Sequence, residues 1–333
     1  MAVEIHYVKS RFHRRCFACL LDFIFFALAF GLCFLGARGI VQATPTYQNN
    51  EAALLSIRQD SGLYHNYPET KRSIDIVSYI RDEGFDGYNK WKRGIDAIDT
   101  FIEYTGEHGY PDSKAKVQKA YDDYRLDPKR TYKDKPMFVR DETGNIVETA
   151  EFKELANLST RFEEAYVPFI DYYCQGYLIS EIPQYNELVH YESNMLFFAE
   201  MIPAYAVAGL LIYLLPVLIF RRGRMTFGKK LYRIATVDSR YLVPKMGRTM
   251  ARFAIFYFAE LLLTPVTFGV PFLISFSMMA FTKDRQSFPD YLLKLYEVDC
   301  YDNKVYFDKA EIRLSDIPGM GQAPKFKSLD GLD

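Results

Sequence analysis

Three apolar blocks interrupt an otherwise polar chain. Residues 16–37 read CFACLLDFIFFALAFGLCFLGA, with one acid among them, Asp22. Residues 196–220 form a second block, with Glu200 near its start. Residues 253–281 form a third, interrupted by Glu260, Pro265, Gly269 and Pro271. About 20 apolar residues in a helix cross about 30 Å of hydrocarbon. The first two blocks therefore each predict one transmembrane helix. The third is longer than one span needs and reads as a kinked helix or, as we favour, a helical hairpin. The expected fold class is an all-α membrane protein built on a small helical transmembrane bundle. A cleaved leader is the poorer reading of the first block, because its apolar core is long and holds Asp22.

The polar stretch between the first two blocks also has periodicity. Apolar residues recur at helical spacing in SIDIVSYIRDEGF, WKRGIDAIDTFIEYTGEHG and FKELANLSTRFEEAYVPFIDYYCQGYLI. FVRDETGNIVE carries the turn residues of a β-hairpin. Sixteen Tyr fall between Tyr47 and Tyr191, together with the only tryptophan, Trp91. That aromatic content predicts a packed core. The stretch reads as a mostly helical globular insert with one small hairpin. YRIATVDSRYLVP, after the second block, reads as a short cytoplasmic β-hairpin turning at Asp238, Ser239 and Arg240. The chain thus divides into residues 1–40 (N-terminus and first span), 41–195 (insert), 196–299 (second span, basic loop and third block) and a tail, 300–333, ending in a flexible GQAPKFKSLDGLD.

Charge adds a topology. The net charge of the 333 residues is only −1, but residues 38–195 carry 19 Lys+Arg against 27 Asp+Glu. The remainder is correspondingly basic. RFHRR precedes the first block, RRGR follows the second, and residues 221–252 hold ten Lys+Arg. Basic loops stay in the cytoplasm. Both termini are therefore expected inside, with the insert outside. Lys283, Arg285 and Lys294 follow the third block and are basic too, which favours an even number of crossings. Arg221, Arg222, Arg224, Lys229 and Lys230 are expected to contact anionic lipid headgroups.

Reactive chemistry is sparse. The five histidines are scattered, and no nucleophile–base pair emerges, so neither a catalytic residue nor an enzyme is expected. Neither a metal site nor a cofactor is expected: Cys16 and Cys19 form C-x-x-C at the mouth of an apolar helix without a second pair, which suits packing or reversible acylation. TFGKKLYRIATVD lacks the glycine-rich loop of a phosphate cradle. No nucleic-acid partner is expected. The intramembrane acids remain. Asp22 lies two turns inside the first helix, seven residues from Arg15 and on the same face, where an acid normally faces the bundle and finds a partner. Arg15, Arg248 and Arg252 are its candidate partners. Asp22 and Glu260 are the candidate ion or proton sites. Glu200 reads as facing headgroups.

R-x-x-A-x-x-L-D at Arg15, Ala18, Leu21 and Asp22, then TFGKKLYRIATVD, GRTMAR and KDRQSFPDYL, occur in an order that resembles the RDD family of small membrane proteins. Arg15, Asp22 and Asp290 match the Arg and the two Asp of its motif. The resemblance covers residues 11–40 and 196–299. The chain differs in its large insert, in Pro289 where a His precedes the second Asp, and in Lys294, Leu295 and Tyr296 where a small Gly-Thr pair follows. The resemblance implies membrane insertion and a shared core fold. It also brings a link, known for some relatives, to cation/proton exchange.

Two functions follow. The first is a membrane-anchored interaction or accessory protein, alone or as a homo-oligomer, whose insert binds an extracytoplasmic protein. The second is a small cation/proton transporter or transporter subunit that uses Asp22. The topology gives a direct prediction. Cysteines placed near Trp91 should react with an impermeant maleimide from outside, and those near Lys229 only from inside; outside labelling near Lys229 would overturn it.

Overall fold

The computed structural model of the protein describes residues 8–67, 69, 72–282, 284–301 and 304–315. Lys283 and the expected flexible end lie outside the described residues. The chain forms two compact units, one of Ile40–Leu196 and one of the residues on either side.

The insert unit is mainly helical. Its helices start where short polar side chains cap free backbone N–H groups. Thr44 caps α2 (Pro45–Asp60), Asp75 caps α3 (Ile76–Asp82) and Asp86 caps α4 (Gly87–His108); Thr149 caps a short helix at Ala150–Leu155. Helix α5 (Ser113–Arg125) packs on α4. The apolar face of α4 buries Ile98, Phe101 and Ile102. Phe101 meets a core that includes Phe152, Phe162, Phe169 and Ile170, all fully buried. One hairpin was expected here and three form. Tyr64–Tyr67 pairs with Arg72–Asp75, Thr131–Tyr132 with Lys135–Pro136, and Phe138–Arg140 with Ile146–Glu148. Of the extra two, the one at Thr131–Pro136 has strands of only two residues, and YHNY and RSID of the other have no apolar alternation to mark them. Inside the unit, Glu148 is buried and accepts hydrogen bonds from Trp91 Nε1 at 3.0 Å, from the Tyr166 hydroxyl at 2.7 Å and from Arg161. Cys174 is buried and free.

Two helices, α1 (Phe12–Gln42) and Pro183–Ile219, are long and apolar enough to cross a bilayer, and the other unit holds them up to residue 39 and from residue 197. The third apolar block is not one helix. Residues 246–261 form its first arm and Val270–Phe281 its second. The connection passes through Phe268 and Gly269, both at positive φ. Pro265 removes one N–H and Gly269 supplies the left-handed turn. Phe256 of the first arm meets Phe272 of the second, with ring centroids 6.2 Å apart.

Several helical runs widen locally to π turns, and proline explains most of them. A proline inside a helix leaves the carbonyl four residues earlier without its donor, and the turn opens. The wide turns Met195–Met201 and Leu210–Leu214 contain the residues four before Pro203 and Pro216. The stretch Phe162–Tyr166 stands in the same relation to Pro168.

The expected β-hairpin within 232–244 is corrected. Strand β7 (Ile234–Asp238) does turn after Asp238, but its antiparallel partner is β8 (Leu295–Asp299), with Thr236 opposite Glu297. The segment after the turn leaves the ladder, and Val243 N–H bonds to Tyr306 O. Residues 8–10 run along the free edge of β8: Asp299 N–H donates to Val8 O at 2.9 Å and Ser10 N–H to Glu297 O at 3.2 Å. Strand β8 therefore lies in the middle of a small sheet, fixed on both edges.

Candidate functional site

Glu297 is the centre of the membrane unit's polar chemistry. It is buried, on the face of β8 that it shares with Thr236 of β7. Three cations converge on it. Arg15 donates from Nε, Lys229 from Nζ, and Arg252 Nη2 lies at 3.3 Å. Arg252 also grips Asp290 with both prongs, Nε at 2.5 Å and Nη2 at 3.0 Å. The Ser287 hydroxyl adds 2.7 Å to the same carboxylate, which is fully buried. Arg15 Nη1 caps the Arg285 carbonyl. Asp299, two residues beyond Glu297, accepts from Arg14. Burial by itself would raise the Glu297 carboxyl. The charges of Arg15, Lys229 and Arg252 outweigh it and hold the group well below the usual carboxylate range.

Asp22 belongs to a second, adjoining arrangement. It accepts from the Thr226 hydroxyl and from Gly228 N–H at 2.7 Å. Thr226 caps the short helix Phe227–Leu231, which presses against α1. No side chain other than hydrogen fits at 228: a Cβ there would lie 2.1 Å from Ala18 O and 3.0 Å from Asp22 Cγ. The T-x-G of TFGKK is thus a carboxylate clasp.

These contacts revise the expected pairings. Asp22 makes no ion pair within 4.0 Å among the described residues. Arg15 reaches Glu297, and Arg252 reaches Asp290 and Glu297. Arg248 is exposed and lies 3.9 Å from Asp238. Lys229, expected at lipid headgroups, is buried against Glu297. Of the other basic residues, Arg222 pairs with Glu311 at 2.9 Å, Lys230 lies over the Phe220 ring, Arg224 is half-buried and Arg221 is exposed. Glu200 is buried instead of facing headgroups, and its Oε2 has no hydrogen-bond partner among the described residues. Glu297 itself was missed. Its segment LYEVD reads as an ordinary short strand, with no local signal that its acid is buried.

A cavity of about 150 Å³ lies inside this unit. Its polar wall includes Arg15, Asp22, Lys229, Arg252, Glu297 and Glu260. Its apolar wall comes mostly from the two arms of the third block. Glu260 is 3% exposed, and its Oε1 has no hydrogen-bond partner among the described residues. The site therefore brings together Arg15, Asp22, Arg252 and Glu260, with Asp290 behind Arg252. Among the described residues, no group of three or more His, Cys, Asp or Glu is placed to hold a metal.

Long apolar helices enclosing a buried ion cluster define an integral membrane protein. Residues 170–294 match the model of the RDD family, and the chain carries an RDD family domain there. The matched segment includes Asp290 but begins after Arg15 and Asp22. No curated protein and no solved structure matches the chain.

Three predictions follow from the ion cluster and the clasp. Because the Glu297 carboxyl is lowered in the folded state, its stabilisation is complete above the ordinary carboxylate value and is lost as pH falls below it. Thermal stability in detergent should therefore fall on acidification below about pH 4–5. Glu297→Gln should lower stability at neutral pH by up to about 3–5 kcal/mol, since three cations lose their common partner. An unchanged melting temperature at neutral pH would remove Glu297 from its central role. Gly228→Ala should cost about 1–3 kcal/mol by overpacking and by pushing the N–H off Asp22. Chemical unfolding of the purified variant measures this, and wild-type stability would overturn the clasp.

Proposed function

We propose that the protein is a membrane-anchored interaction or accessory protein. Its RDD core is a fixed anchor, and the insert Ile40–Leu196 binds a protein partner outside the cytoplasm. One observation carries this reading: the motif charges are spent on one another. Arg15, Lys229 and Arg252 share Glu297, Arg252 holds Asp290, and both oxygens of Asp22 are engaged by Thr226 and Gly228. Groups committed in this way hold helices in register. A carrier does not need a separately cored unit of this size between its first two spans.

A second reading, cation/proton exchange, is favoured by one specific feature. Asp22 and Glu260, on different helices, face the same cavity.

Asp22→Asn separates the two. On the anchor reading, the variant loses about 1 kcal/mol of stability, the scale of polar contacts between membrane helices. Cross-linking of the intact protein in native membranes then yields the same adduct on the insert for both forms. If wild-type proteoliposomes instead carry a pH-driven cation flux that Asp22→Asn abolishes without loss of stability, the exchange reading replaces the anchor.

A further inference from the structure

Among the acids around the cavity, Glu260 differs from the rest. Asp22 is held by Thr226 and Gly228, Glu297 by three cations, and Asp290 by Arg252 and Ser287. Glu260 has no ion pair within 4.0 Å among the described residues, and one of its carboxylate oxygens has no partner. It lies eight residues beyond Arg252 on the same arm, about 12 Å along a helix, and Arg252 is already committed. The Ser275 hydroxyl beside it is neutral. A buried carboxylate without a cation is costly, and a cation that enters the cavity offsets that cost.

The walls restrict what that cation can be. Phe253, Phe256, Phe272, Phe276 and Met279 line the cavity, all from the two arms that carry Glu260 and Ser275. Ring faces attract ammonium groups, and desolvation strengthens the attraction. Among the described residues, no group of three or more His, Cys, Asp or Glu is placed to hold a metal ion here, and the other acids on the cavity, Asp22 and Glu297, are already engaged. The cavity has a volume of about 150 Å³, and apolar cavities of about that size take up benzene.

We propose that this cavity binds a small organic ammonium ion: a primary amine on an apolar body about the size of one benzene ring, with Glu260 as its counter-ion. The ammonium donates to Glu260 Oε1, and the apolar body packs against the phenylalanine rings. The binding site goes beyond both functional readings, since it requires neither a protein partner nor ion flux.

Benzylammonium is the probe, titrated calorimetrically at neutral pH into the purified full-length protein in detergent. Benzyl alcohol and benzoate are the controls. The alcohol keeps the ring and loses the charge. Benzoate reverses the charge and would favour Arg224 and Thr236, whose Nε and Oγ1 are buried on the same cavity without partners. Benzylammonium should bind saturably at one site, and the two controls about tenfold more weakly or worse. Glu260→Gln should weaken benzylammonium by about tenfold or more, the loss of one charge-assisted hydrogen bond. A second measurement uses wild-type protein alone, in case the variant does not fold. 4-Azidobenzylammonium, photolysed on the protein, should label the arms at 253–261 or 270–281, and excess benzylammonium should suppress that labelling. The proposal is overturned by absence of saturable benzylammonium binding, by benzyl alcohol or benzoate binding as tightly, by a folded Glu260→Gln that binds like wild type, or by competed labelling elsewhere or nowhere.

Discussion

One buried carboxylate organises the membrane unit. Glu297 draws Arg15 from α1, Lys229 from the loop after the second long helix and Arg252 from the third block into a single contact. Each of these cations leaves water, and no single pair would repay the desolvation of both partners. Three cations on one carboxylate, with Asp290 balancing Arg252 from the other side, spread the cost over a network in which Arg15 and Arg252 each make more than one bond. Most of the architecture is drawn in by this requirement. Strand β8 needs a neighbour on each edge to hold Glu297 rigid. It finds β7 on one side and residues 8–10 on the other, so segments from both ends of the chain join one sheet beneath the helices.

Asp22 and Asp290 play different parts within this arrangement. Asp290 answers a charge. Asp22 answers hydrogen-bond donors: a hydroxyl and a backbone N–H that a glycine brings within reach of α1. Arg15, seven residues before Asp22 on the same helix face, points to Glu297 instead of its neighbour. Two polar residues can therefore share a helix face and still serve separate contacts.

Much of this was legible in the chain. The apolar blocks marked the helices, Pro265 and Gly269 marked the break in the third block, and Thr44, Asp75, Asp86 and Thr149 stand where capping chemistry places them. The insert's aromatic content foretold its core. What the sequence hid was long-range pairing. The turn residues after Asp238 favour a local hairpin, and nothing nearby reveals that β7 prefers a partner almost sixty residues on. Glu297 was hidden for the same reason, because its meaning depends on three cations distant in sequence. Glu200 misled differently. Its position near the end of an apolar run suits a headgroup contact, but the wide turn before Pro203 buries it.

The third block's dimensions bear on the bilayer itself. Val270–Phe281 is 12 residues, about 18 Å of helix, against about 30 Å of hydrocarbon. Around such an arm, lipid must thin, or the connecting turn must stay below the far headgroups. The turn is equipped for the second case. The Thr264 and Thr267 hydroxyls donate to the Glu260 and Leu263 carbonyls at 2.6 Å, and Gly269 N–H closes on Thr264 O at 3.0 Å. Phe268, 94% exposed, presents a bare ring at the tip. A loop that closes several of its own backbone bonds and offers an aromatic ring outward is suited to contact acyl chains, and its depth would then follow the thickness of the membrane that holds it.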